Sequence, residues 1–170
     1  EATPIVTNKQ TPYKFGVANV IRFRGEKLSF VDAFEQVLST EYKPKNEKLC
    51  IIACGPMVPE AMRAAWILKA ENGIETRILN VHTVKPIDKA AIIAAAEQVG
   101  LILTAEEHQV GGFGNIVAGI AATRKDESKP LRIAQIGVLD RFGESGEPWE
   151  LMKLFELTAE HIVKKALTIL

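Results

Sequence analysis

The chain has little of what most often announces a function. It holds only two cysteines, Cys50 and Cys54, and only three histidines, His82, His108 and His161. Both cysteines fall on one expected strand. At about 3.3 Å per residue they stand roughly 13 Å apart on one face, beyond the ~7 Å Cα separation that a disulfide spans. They read as free buried thiols, which suits the reducing cytoplasm. A Cys-x-x-x-Cys metal pair would need further ligands nearby, and the sequence offers none. Charge of one sign is also missing: Lys+Arg and Asp+Glu both number 21. No long-range field therefore draws the chain to nucleic acid or to an acidic membrane. No apolar run approaches the roughly 18 to 20 residues that span a bilayer. The start, Glu1-Ala-Thr-Pro-Ile-Val6, lacks the basic-then-apolar order of a signal peptide. It also lacks an initiator Met, so the chain reads as a fragment or a processed product. Neither G-x-S-x-G nor Gly-Lys-Ser/Thr occurs, which removes the serine-hydrolase elbow and the P-loop.

What is present is an ordinary globular composition. The 170 residues, 47% hydrophobic and 25% charged, suit one domain with a real core. From Leu49 onward, strand and helix patterns alternate. The segments 49–54, 76–81, 101–105 and 130–137 read as strands, the first of them a continuous apolar run. Helical spacing runs from about 58 to 70, with Pro59 in the first turn and Asn72-Gly73 as the stop. Asp88 is the expected N-cap of a helix over 89–98, which Gly100 ends. A further helix is expected over 115–124, and a short one near 148–155 follows the glycine-rich loop 137–146. Thr158 is expected to cap a last helix over 159–167, with Ile162, Val163, Ala166 and Leu167 as its apolar stripe. Such alternation implies parallel strands with right-handed crossovers, in a three-layer α/β/α sheet of five strands.

The first 48 residues differ. Residues 1–14, with Pro4 and Pro12, read as an extended interdomain connector, and 15–170 as the domain. Residues 15–24 read as one more strand, pairing antiparallel with 50–54 at the sheet edge. Between them Phe30, Val31, Phe34, Val37 and Leu38 recur at helical spacing, giving an inserted helix near 28–42. Lys43-Pro-Lys-Asn-Glu-Lys48 reads as a solvated linker. Repeats and low-complexity tracts are absent.

The segment Thr104-Ala-Glu-Glu-His-Gln-Val-Gly-Gly-Phe-Gly-Asn115 concentrates the polar chemistry at a strand end, where α/β proteins gather ligand and subunit contacts. Gly111, Gly112 and Gly114 open a helix whose N–H groups suit an anion. The plainer reading is a glycine turn that lets strand and helix pack closely. The G-x-G-x-x-G spacing is not met. Glu106, Glu107 and His108 offer an acid–base pair or part of a metal site. His82 ends the preceding strand and would share one sheet edge with His108. With no nucleophile motif in support, the set His82, Glu106, Glu107, His108, Gly111, Gly112 and Gly114 reads as a hydrogen-bonded strand-end or subunit-contact cluster. Catalytic, cofactor-binding and metal residues are not assigned.

Five motifs then occur in order: Gly55-Pro-Met-Val58, Val81-His-Thr-Val-Lys-Pro-Ile-Asp88, Glu106-Glu-His-x-x-Gly-Gly-x-Gly114, Phe142-Gly-Glu-Ser-Gly146 and Leu157-Thr-Ala-Glu-His-Ile-Val163. Together they resemble the C-terminal domain of transketolase, over about 1–25 and 49–170. Deoxyxylulose-phosphate synthase and the beta subunits of 2-oxoacid dehydrogenases share the wider family; the fourth and fifth motifs favour transketolase. Two departures stand out: the insertion near 28–48, and Glu156 where the family commonly has Gly. The resemblance implies a cytoplasmic, dimeric enzyme of the pentose phosphate pathway that moves two-carbon ketol units between sugar phosphates. Thiamine diphosphate as its carbanion would carry the chemistry. It implies that the diphosphate and Mg2+ sit on an N-terminal domain bearing Gly-Asp-Gly, with the activating glutamate on a middle domain. This chain contains no Gly-Asp-Gly. It is therefore expected to be inactive alone, to bind no cofactor itself, and to support folding and assembly with those two domains in a homodimer. The alternative is an independent flavodoxin-like ligand- or partner-binding module. A receiver would carry an acidic pair after its first strand and a flavodoxin a Ser/Thr-rich phosphate loop, but Gly55-Pro56 stands there instead.

Overall fold

A computed structural model describes residues 4–7, 11, 13–23 and 42–170. The helix expected near 28–42 lies outside the described residues except for Tyr42. Among the described residues the elements are β1 (Asn19–Ile21), β2 (Leu49–Ala53), α1 (Met57–Asn72), β3 (Thr76–Asn80) and α2 (Lys89–Gln98). They continue with β4 (Leu101–Gln109), α3 (Phe113–Ala121), β5 (Arg132–Val138), α4 (Pro148–Leu154) and α5 (Ala159–Ile169). The sheet order is β1-β3-β2-β4-β5, with β1 antiparallel and the other pairs parallel. This is the expected mixed five-stranded sheet with one antiparallel edge.

The two-residue period of the strands builds two cores. Leu49, Ile51, Ala53, Ile78, Leu103 and Ala105 face α1 and α5. Cys50, Ile52, Leu79 and Ile102 face α2 and α3. Every residue of β2 and β3 is buried, which is why β2 reads as an unbroken apolar run rather than an alternating one; β3 buries Thr76, Arg77 and Asn80 among its apolar residues. Truncating a side chain such as Ile51, which has no exposed surface, costs about 2–5 kcal/mol by lost transfer and cavity terms. Among the described residues no helix is long and apolar enough to cross a membrane.

The helix boundaries have local causes. Gly73, at φ 65°, closes α1 with its N–H on the Lys69 carbonyl, while Ile74 N–H reaches Leu68. Asp88 caps α2: Oδ1 accepts from Ala91 N–H at 3.0 Å, and Oδ2 accepts from Ala18 N–H at 2.9 Å beside β1. Glu156 stands at φ 58°, the left-handed conformation that favours glycine.

Several expectations need correction. The edge strand pairs with β3, Asn19 opposite Asn80, and not with β2. It is also shorter than 15–24, because Lys14 to Val17 forms a tight turn with Gly16 at φ 74°. β4 runs to Gln109 rather than 105, with an irregularity in its pairing to β5 between Ala105 and Gln109. α3 starts at Phe113 and ends at Ala121. Leu167 is exposed, so it is not part of the buried stripe of α5. Thr158 sits at the N-cap of α5, but its hydroxyl meets Glu160 and His161 instead of a backbone N–H.

The supposed linker 43–48 is not solvated throughout. The Glu47 side chain is only 6% exposed and bonds both Arg22 and Arg77. The register of β1 on β3 explains the trio: Ile21 lies opposite Ile78, which sets Arg22 beside Arg77 at the N-terminal end of the parallel strands. Burial acts to raise the Glu47 carboxyl, and hydrogen bonds and charge from Arg77 and Arg22 outweigh it, leaving the group below its ordinary value. Nearby, Tyr42 and Lys69 both bond the Glu75 carboxylate.

Candidate functional site

The polar cluster sits where β4 leaves the sheet. Glu106 is 1% exposed, and its carboxylate turns back onto the start of α3. Oε2 accepts from Phe113 N–H at 2.8 Å and Oε1 from Gly114 N–H at 2.9 Å. The first N–H groups of a helix have no partner within it, and its dipole favours negative charge there. The anion that the glycine-opened helix suits is thus the protein's own side chain.

Glycine makes this geometry possible. A Cβ on Gly114 would lie 2.8 Å from Thr104 Oγ1 and 2.8 Å from Gln135 Cδ, and one on Gly112 would lie 3.0 Å from Glu106 Oε2. Gly111 holds φ 107°, open to glycine and strained for other residues. The Gln135 amide donates to Asn115 Oδ1 at 3.0 Å, tying β5 to α3.

The next three residues point outward. Glu107, His108 and Gln109 are exposed, and Gln109 donates to the Arg141 carbonyl at 2.6 Å. With Val138, Leu151 and Phe155 they border a cleft of about 850 Å3 between the end of β4, loop 139–147 and α4. His82 does not join them. It lies past β3, with β2 between β3 and β4; its Nδ1 is 2.9 Å from Thr83 Oγ1 and its ring stacks 4.6 Å from Tyr13. His161 Nδ1 is 2.8 Å from Thr158 Oγ1.

The chemistry open to these groups is narrow. Burial, then the carboxylates of Glu106 and Glu107, push the Cys54 thiol up to about 11, and burial pushes Cys50 to about 12. Both thiols are protonated at neutral pH and are poor nucleophiles. Both are free. Ser145 lies on exposed loop 139–147. Among the described residues, groups of three or more His, Cys, Asp or Glu placed to hold a metal ion are absent. A diphosphate does not fit either: Glu106 fills the α3 N-terminus, and among the described residues the cleft is lined by Glu107 and Glu144 and by no lysine or arginine.

A second buried carboxylate was not foreseen. Glu60, in the first turn of α1, accepts from Ala159 N–H at 2.7 Å across 99 residues, supplying the cap of α5 that Thr158 does not. Its other oxygen bonds Arg63 at 3.0 Å. Local sequence carries no signal for that contact. For Glu106 a signal existed: a carboxylate at a strand end, seven residues before a glycine-opened helix.

Comparison with known proteins agrees with these features. Residues 39–162 match the family described as the C-terminal domain of transketolase. A protein of Methanocaldococcus jannaschii, described as a transketolase C-terminal section, is 43% identical over 121 residues, which cover 71% of this chain and 36% of that protein. The 1-deoxy-D-xylulose-5-phosphate synthase of Desulforudis audaxviator is 37% identical over 72% of this chain and 19% of its own length. Among solved structures, a split-gene transketolase described as an inactive beta4 tetramer superposes with a TM-score of 0.73 at 30% identity, over 99% of this chain and 48% of that one. The chain thus spans about a third or less of these curated relatives. In sequence and in fold it belongs to the transketolase family, as that family's C-terminal domain.

Proposed function

We propose that this chain is the assembly domain of a thiamine-diphosphate-dependent transketolase, which moves two-carbon ketol units between sugar phosphates in the pentose phosphate interconversions. The cofactor, with Mg2+, binds N-terminal and middle domains, on the same or a separate polypeptide. The whole works as a dimer in the cytoplasm, which the two free thiols suit. One observation carries the reading: Glu106, the most buried acid of the strand-end cluster, is committed to the backbone of α3. The cluster thereby serves structure, and the chemistry falls to other domains. Similarity to a C-terminal section and to a split-gene enzyme supports the same division.

Two assays test it. Calorimetry of this chain with thiamine diphosphate and Mg2+ is expected to give no binding heat; micromolar, Mg2+-dependent binding would overturn the division of labour. With the thiamine-binding part present, ketol transfer from a ketose phosphate to an aldose phosphate is expected. Formation of 1-deoxy-D-xylulose 5-phosphate instead would move the chain to the synthase branch.

A further inference from the structure

We infer that the cleft between the end of β4, loop 139–147 and α4 is a docking site for an apolar segment flanked by lysine or arginine on the thiamine-binding part of the enzyme. The inference rests on the functional reading above and adds the surface and its occupant. Helix α4 buries none of its seven residues. Beside it Phe142 is 96% exposed, and Leu139, Trp149 and Leu154 are exposed as well. Leu151 and Met152 of the same helix are half-buried along the cleft, so the exposed apolar side chains beside them lack a counterpart among the described residues, and exposed apolar surface of this kind marks an interaction site.

Charge selects the occupant. The two cations of this stretch are already engaged: Arg141 bonds Glu144 and lies over the Phe155 ring, and Lys153 lies over Trp149. Asp140, Glu147 and Glu150 are exposed and form no ion pair among the described residues, and the same holds for Glu107 at the cleft's inner wall. The rim is acidic around an apolar floor. A sugar phosphate would meet like charge there. So would this face of a second copy, since a two-fold contact sets each rim against itself. An apolar segment with basic flanks satisfies both floor and rim. The curated relatives extend well beyond the matched stretch, which covers 36% of the archaeal one, so such an enzyme has the surface to supply it.

Photo-crosslinking in the assembled enzyme tests this. p-Benzoylphenylalanine placed at Phe142 is expected to join a segment outside these 170 residues that carries Lys or Arg, identified by peptide mass spectrometry. The adduct yield is expected to fall at least tenfold in Glu107→Lys and to hold in Glu127→Lys, on the exposed loop between α3 and β5. Equal melting temperatures for both variants guard against misfolding as the cause. An adduct to a second copy of this domain, no adduct, or an adduct indifferent to Glu107→Lys would overturn the inference. Crosslinking without ketol transfer would remove the functional reading and keep the docking surface; ketol transfer without the adduct would do the reverse.

Discussion

The two ends of the sheet solve one problem in different ways. At the N-terminal end of the strands, the buried Glu47 carboxylate is held by the side chains of Arg22 and Arg77. At the C-terminal end, the buried Glu106 carboxylate is held by two backbone N–H groups of α3. The first arrangement uses three charged side chains and closes on itself. The second uses one, and leaves Glu107 and His108 free to face a cleft. The lesson is that backbone amides can hold a buried charge without consuming the side chains around it. The end of the sheet built that way is the end with a surface to offer.

The comparison can be broken by removing each carboxylate. Glu47→Ala is expected to cost the most, about 3–5 kcal/mol in urea unfolding, because it strands two largely buried guanidinium groups. Its contribution should also depend on pH. The folded-state value lies below the ordinary 4.5, so the stabilisation is complete above that pH and is lost as pH falls through the folded value. The stability gap between the parent chain and Glu47→Gln should therefore close in acid; a constant gap would mean that the arginines do not hold the ionised form. Glu106→Ala is expected to cost less, about 2–3 kcal/mol, by leaving two helix donors unsatisfied. Hydrogen exchange should quicken first at Phe113 and Gly114; a uniform loss of protection would argue against a local cap. Glu60→Ala removes a single bond to α5 and should cost about 1–2 kcal/mol. Smallest, Glu156→Gly relieves a left-handed residue and should raise stability by less than about 1 kcal/mol. A lower melting temperature in that variant would count against strain at φ 58°.

Legibility in the sequence followed the range of the interactions. The central strands were visible because apolar runs bounded by Gly and Pro are local signals, and Asp88 was visible because a cap acts within three residues. The β1 partner was not, since nothing in residues 19–21 distinguishes β2 from β3 as a neighbour. Glu47 looked solvated because its sequence neighbours are lysines, asparagine and proline; its real neighbours arrive from two other strands. The strand-end cluster was found, and Glu106 within it, but the division between one inward and two outward residues was not. That division depends on β4 continuing past the end of its apolar run, to Gln109.

The bond from Ala159 to Glu60 also sets a schedule for biosynthesis. The two residues are 99 apart, so at about 5 to 20 residues per second one follows the other by about 5 to 20 s. Through that interval α1 can form, but the carboxylate in its first turn has no backbone donor and its apolar face has no α5 to cover it. The turns of chain that close the first helix of the series leave the ribosome about a hundred residues after it. Stalling a few residues short of Ala159 would leave a half-covered intermediate, open to proteases and to aggregation.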